Sequence, residues 1–170
     1  MGASLVIEDI MPESDIPKKY VVSNVEFRNV GQSNKIGMHP IRFFSLDEHT
    51  GATIFVAQNN TIHTSYNRGI ALSGTTNAII QNNVLFNIRG HSIFNEFAHE
   101  RNNTIANNMV VSTRKAFNLL DSDLQPASYW ITNPANTLVN NTASGSDAHG
   151  FFYNLPENSL GPLANTDICP

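Results

Sequence analysis

The chain has 170 residues, a formal net charge of −4 and only 14% charged residues, against about 25% in an average soluble protein. One domain with a continuous core suits that length, and the acidic balance excludes a general nucleic-acid binder while leaving room for a local basic stripe. The single cysteine, Cys169, excludes a disulfide within the chain and leaves the redox compartment unread.

The opening stretch, MGASLVIEDIMPESD, has neither a basic leader nor a long apolar run, so it reads as neither signal peptide nor membrane anchor. Val6 also stands where a myristoylation signal wants Ser or Thr. The chain is therefore expected to be intracellular or a segment of a longer protein, with residues 1–20 as a lead-in or cap. From there it repeats itself. A weak first copy is SNVEFRNVGQ from Ser23, with a second arm HPIRFF at 39–44. Four stronger copies follow: NNTIHTSYNRGIALSG from Asn59, NNVLFNIRGHSIFNEF from Asn82, NNMVVSTRKAFNLLDS from Asn107 and NNTASGSDAHGFFYNL from Asn140. The steps are 23, 25 and 33 residues, the last lengthened by the insertion DSDLQPASYW.

Such a period is too short for paired-helix repeats and fits one turn of a β-solenoid. Each copy carries two or three short strands, such as TIHT with GIAL or VLF with HSIF, and none sustains a 3.6-residue period. The expected fold is all-β: a right-handed parallel β-helix of about five coils over residues 21–155, with 156–170 as a C-terminal extension. Coils would stack about 4.8 Å apart.

The doublets Asn59–Asn60, Asn82–Asn83, Asn107–Asn108 and Asn140–Asn141 then read as a corner ladder, because stacked amides can bond to the coils above and below. Asn also tolerates the left-handed backbone of a sharp corner. The competing reading is glycosylation, since Asn59, Asn102 and Asn140 each begin an N-x-Thr sequon. The ladder is preferred because the doublets at 82 and 107 lack the Thr. Phe43, Phe94, Phe117 and Phe151 fall on second arms and are expected to stack as core.

Several stretches together resemble the β-helix region of a known group. They are GMHPIRFF (37–44), SYNRGIALSGTTN (65–77), RGHSIFNEF (89–97), PASYWITNPANT (126–137) and GSDAHGFFYNL (145–155). The group comprises fibrocystin-L, the cell-migration-inducing hyaluronan-binding protein and transmembrane protein 2, and the ending LGPLANTDICP leans toward the fibrocystin-L branch. The resemblance covers roughly residues 20–170 and implies part of a large extracellular or cell-surface protein, touching a membrane only through segments outside this chain. Implied partners are an anionic polysaccharide such as hyaluronan or other domains of the same large chain, with no nucleic acid and no cofactor. The group's pattern reads P-I-H-F-H in the first arm, a His before Gly in the second and G-H-x-F-F-x-E-D in the third. The matching places here are Arg42, Phe44, Ser73, His91, Glu96 and Phe97. Only His91 and Glu96 of that polar set are kept, too little to hold a metal tightly, which counts against hydrolysis.

The residues themselves offer four further constellations. Arg68, Arg89 and Arg114, with His149, occupy what reads as one position in successive units, a stripe suited to an anionic glycan. The plainer alternative pairs those guanidiniums with Glu96, Glu100 or Asp121. His91 and Glu96, with Asp121, Asp123 and Asp147 on later units, are candidate acid-base groups for glycoside cleavage, although corner carboxylates are more often solvated. Asp121 and Asp123 also form a weak calcium pattern. Tyr129 and Trp130, read as part of the inserted loop, are candidates for an aromatic sugar platform. The leading expectation is a structural or glycan-binding module without catalysis, and the alternative is a hyaluronan-type endoglycosidase using His91 and Glu96.

Overall fold

A computed structural model describes residues 2–9, 17–45, 53–117 and 119–164, which wind as a parallel β-helix. Strand β1 (Leu5–Asp9) precedes five three-strand coils. The first is β2 (Lys19–Ser23), β3 (Glu26–Arg28) and β4 (Ile41–Ser45); the second β5 (Ile54–Gln58), β6 (Thr61–Ser65) and β7 (Ile70–Ser73). The third is β8 (Ile79–Gln81), β9 (Val84–Arg89) and β10 (Ile93–Asn95); the fourth β11 (Thr104–Ala106), β12 (Met109–Arg114) and β13 (Ala127–Ile131). The fifth is β14 (Thr137–Val139), β15 (Thr142–Ser144) and β16 (His149–Tyr153). Every third strand pairs, giving a six-stranded sheet β1-β4-β7-β10-β13-β16 and two five-stranded sheets, β2-β5-β8-β11-β14 and β3-β6-β9-β12-β15. Cys169 lies outside the described residues.

Alternation along each strand sends one row of side chains inward. Ile41, Ile70, Ile93 and Tyr129 stack in register on the six-stranded sheet, and each is 0% exposed. Ile62, Leu85 and Val110 do the same from the third sheet. β-branched side chains suit a pleated, buried surface, and each such residue contributes roughly 1.5–3 kcal/mol of hydrophobic stabilisation.

The two members of each Asn doublet do different work. The first takes the left-handed corner: φ is 55° at Asn59, Asn82 and Asn107 and 53° at Asn140. The second turns inward and bonds from coil to coil. Asn60 Nδ2 donates to Val22 O at 2.9 Å and to Asn83 Oδ1 at 3.1 Å. Asn83 Nδ2 donates to Ala57 O and Asn108 Oδ1, and Asn108 Nδ2 to Ile80 O and Asn141 Oδ1. Each Oδ1 also accepts the backbone N–H of the coil below, starting at Val25 N. A second amide column, absent from the sequence reading, runs through Asn103 and Asn136 at the next corner, where Ala78 N donates to Asn103 Oδ1 at 2.7 Å and Asn103 N to Asn136 Oδ1 at 3.1 Å.

Three sequence expectations are corrected by the strand register. Tyr129 and Trp130 belong to β13, not to the insertion loop, whose own structure is a 3₁₀ turn at Asp121–Leu124. Phe117 is not core but 77% exposed on that loop. Phe94 is buried yet faces outward, in register with Ala71 and Trp130.

Candidate functional site

The outer face of the six-stranded sheet is not left bare. Its outward row in the upper coils is Phe94, Trp130 and Phe152, one per coil. The loop carrying the 3₁₀ turn folds over one side of this row. The segment after β16 returns along the other, where Leu160 N donates to Phe97 O at 2.8 Å. Between them lies a cleft of about 190 Å³ whose lining includes His91, Phe94, Glu96, Ser122, Trp130 and Leu160.

Two closed ion pairs flank this cleft. Arg68 Nε donates to Asp123 Oδ1 at 2.9 Å and its Nη2 to Oδ2 at 2.7 Å, with the guanidinium 4.8 Å above the Phe94 ring. Asp123 is 0% and Arg68 5% exposed, so the pair fastens the loop to the solenoid. At the other end Arg42 Nη2 donates to Glu96 Oε2 at 3.0 Å. Ser73 Oγ donates to the same oxygen and accepts from Arg42 Nε at 2.9 Å. Arg42 lies 4.9 Å from the Phe44 ring centre, and Phe44 meets Phe97 edge-on. Five of the six pattern places (Arg42, Phe44, Ser73, Glu96 and Phe97) therefore form one contact cluster, with His91 further along the cleft.

His91 accepts the Ala127 N–H on Nδ1 at 3.1 Å, so its proton sits on Nε2, which faces Ser122 Oγ at 3.3 Å. Burial, then the Arg68 and His149 charges, push its pKa well below the ordinary histidine value. His39, hydrogen-bonded to Asn67, is lowered to about 3, chiefly by burial and then by Arg68. Both rings stay neutral beside Arg68. Beneath Glu96, the buried Glu100 takes the N–H groups of Gly74, Glu96 and Phe97 on Oε1, and burial raises its pKa to about 7.

An aromatic strip runs out of the cleft. His91 lies 4.2 Å from Trp130, Trp130 4.8 Å from Phe152, and Phe152 4.5 Å from His149, centre to centre. Trp130 and Phe152 are half-buried. Tyr129 is no platform: it is 0% exposed, stacks on Phe151 at 4.6 Å and donates its hydroxyl to Asn108 O and Thr142 O.

The arginine column is also corrected. Arg89 and Arg114 are register partners, but Ser65 pairs with Ile88, which makes Tyr66 their equivalent in the coil below. Ile70 pairs with Ile93, placing Arg68 beside His91. Matching Gly69–Ile70 with Gly90–His91 had slipped the register by two residues. His149 lies opposite Ala127 in the six-stranded sheet, away from both exposed arginines. Arg114 Nη1 donates to Asp147 Oδ1 at 3.0 Å. Arg89 has no ion pair among the described residues and borders a groove of about 100 Å³ with Tyr66 and Phe117.

The calcium reading of Asp121 and Asp123 does not fit, because Arg68 occupies both oxygens of Asp123 and Asp121 is left exposed. Among the described residues no three His, Cys, Asp or Glu side chains gather as a metal site. Asn59, Asn102 and Asn140 are exposed at corners.

Comparison with known proteins matches residues 10–169 to the family described as CEMIP beta-helix. Fibrocystin-L of Mus musculus is 30% identical over 168 residues, covering 99% of this chain and 4% of that protein. Cell surface hyaluronidase CEMIP2 of Homo sapiens is 28% identical over 177 residues, covering 86% of this chain and 13% of its own. Cell migration-inducing and hyaluronan-binding protein of Mus musculus is 26% identical over 170 residues, covering 83% and 12%. This chain thus spans a small part of each of these relatives. By fold, by sequence and over almost its whole length, the chain belongs to the CEMIP beta-helix family.

Proposed function

We propose that this β-helix is a glycan-binding module of a cell-surface protein, without hydrolytic chemistry of its own. The observation that carries the reading is the contrast within one cleft: the polar groups suited to proton transfer are engaged, while the aromatic faces suited to a sugar are displayed. Glu96 is held by Arg42 and Ser73. His91 is held neutral with Nδ1 committed to the Ala127 amide. A general acid-base pair needs groups free to give and take protons near the operating pH. Trp130 and Phe152, by contrast, present the kind of ring that packs on the apolar face of a sugar. Two relatives are named for hyaluronan or its hydrolysis, which supports a saccharide as the class of ligand.

The endoglycosidase reading keeps one supporting observation, that His91 and Glu96 line the same cleft. Incubation with size-defined hyaluronan, followed by chain-length analysis, separates the two. Unchanged chain length together with saccharide binding is the expected result. Shortening that disappears in Glu96→Gln would establish hydrolysis instead.

A further inference from the structure

We infer that the cleft between the Asp121–Leu124 turn and the returning Asn154–Leu160 segment takes an uncharged sugar ring, and that acidic sugars are excluded from it. The inference rests on the glycan-binding reading and concerns only the ligand that this site selects.

Arg68 and Glu96 are the full charges bordering the cleft, and each is already matched, by Asp123 and Arg42 respectively. His91 carries one ring proton, because the Ala127 amide occupies its other nitrogen. The lining offers no unmatched cation to a carboxylate or sulfate, so an acidic sugar would be stripped of water without compensation or would have to break a buried pair.

The remaining lining suits a neutral ring. Trp130 and Leu160 give apolar surface in front of the buried Phe94, and Ser122 and Asn154 give a polar rim with Thr132 behind it. Thr132 is 2% exposed, and its hydroxyl has no partner among the described residues. Such a group is costly to leave unbonded and is ready for a ligand hydroxyl. A volume of about 190 Å³, against the ~10–15 Å³ that holds one water, is room for a small ligand such as one sugar ring. Arg89, without an ion pair among the described residues and with Arg114 beside it in the next coil, belongs to a different face and offers a polyanion a separate, salt-screened foothold.

Trp130 is the only tryptophan in the chain, so its intrinsic emission reports on this cleft without a label. The folded chain is titrated with neutral tetrasaccharides of glucose, mannose and N-acetylglucosamine, and in parallel with hyaluronan tetrasaccharide, at low and high salt. At least one neutral tetrasaccharide should shift Trp130 emission saturably, with affinity nearly independent of salt, and hyaluronan tetrasaccharide should leave it unmoved. Leu160→Arg, which adds an unmatched cation at the mouth and disturbs neither pair, should let the acidic tetrasaccharide shift the emission. Arg89→Ser with Arg114→Ser should leave the neutral response intact. If the acidic tetrasaccharide alone moves Trp130 in the unaltered chain, and does so more weakly as salt rises, the charge argument is overturned while glycan binding stands. If calorimetry detects neutral binding and the emission stays still, the ligand sits elsewhere and the inference is lost. If no saccharide binds by either method, the proposed function falls with it.

Discussion

Arg68 and Asp123, 55 residues apart, meet through two parallel hydrogen bonds in a site almost closed to water. Breaking such a pair from one side strands the other charge, at a cost of about 3–5 kcal/mol, whereas replacing both ends with apolar groups is far milder. Asp123→Ala and Arg68→Ala should each lower stability by that order, and Arg68→Met with Asp123→Leu by clearly less. Urea unfolding of the three variants checks this. Additive single effects would show that the pair does not act as a unit.

The Asn doublets should separate under mutation. Asn82→Gly keeps the left-handed corner at little cost, about 1 kcal/mol or less. Asn83→Ala removes bonds to Asn60, Ala57 and Asn108 and orphans buried groups at about 1–3 kcal/mol each. Denaturation midpoints that moved equally for both would contradict this division of labour.

Glu100 gives a pH signature. Burial raises its pKa to about 7 in the folded chain, against about 4.3 when unfolded. Between those values the folded state keeps a proton that the unfolded state has lost, so stability is fully present below the lower pKa and declines as pH rises through the upper one. The loss is on the order of 3 kcal/mol. Glu100→Gln retains a side-chain carbonyl for the three amides and should flatten stability between about pH 4 and pH 7. An unaltered slope in that variant would assign the pH dependence to another group.

The exposed arginines should respond with opposite signs. Arg89→Ser removes an exposed cation and should weaken retention on an anionic polysaccharide column at low salt. Asp147→Asn releases Arg114 from its carboxylate partner and should strengthen it. Salt elution points measure both, and the difference should fade as the Debye length shrinks.

Much of the architecture was legible in the sequence because the polar doublets mark four of the five coils at the same corner. The period and the parallel solenoid followed from Asn59, Asn82, Asn107 and Asn140 with the short strands between them, and the remaining coil from the weaker copy at Ser23. Side-chain facing was less legible. A two-residue slip keeps a side chain on the same face of its strand, so placing Arg68 with Arg89 violated no hydrophobic pattern that could have exposed the error. Tyr129 and Trp130 looked alike as neighbouring aromatics, yet strand alternation seals one in the core and presents the other to the cleft. Asp123 was read as a solvated loop carboxylate because its partner lies 55 residues earlier, and no local signal announces such a contact. The second amide column escaped notice because Asn102–Asn103 was read only as a sequon.

The inner amide column has a direction. It begins on Val25, whose side chain has no amide to offer, and each higher Asn receives the backbone N–H of the coil beneath. At Asn141 the pattern leaves a backbone N–H without an acceptor among the described residues. The stack is thus keyed like a one-way connector: a coil set in register above Asn141 continues the column by supplying a side-chain carbonyl there.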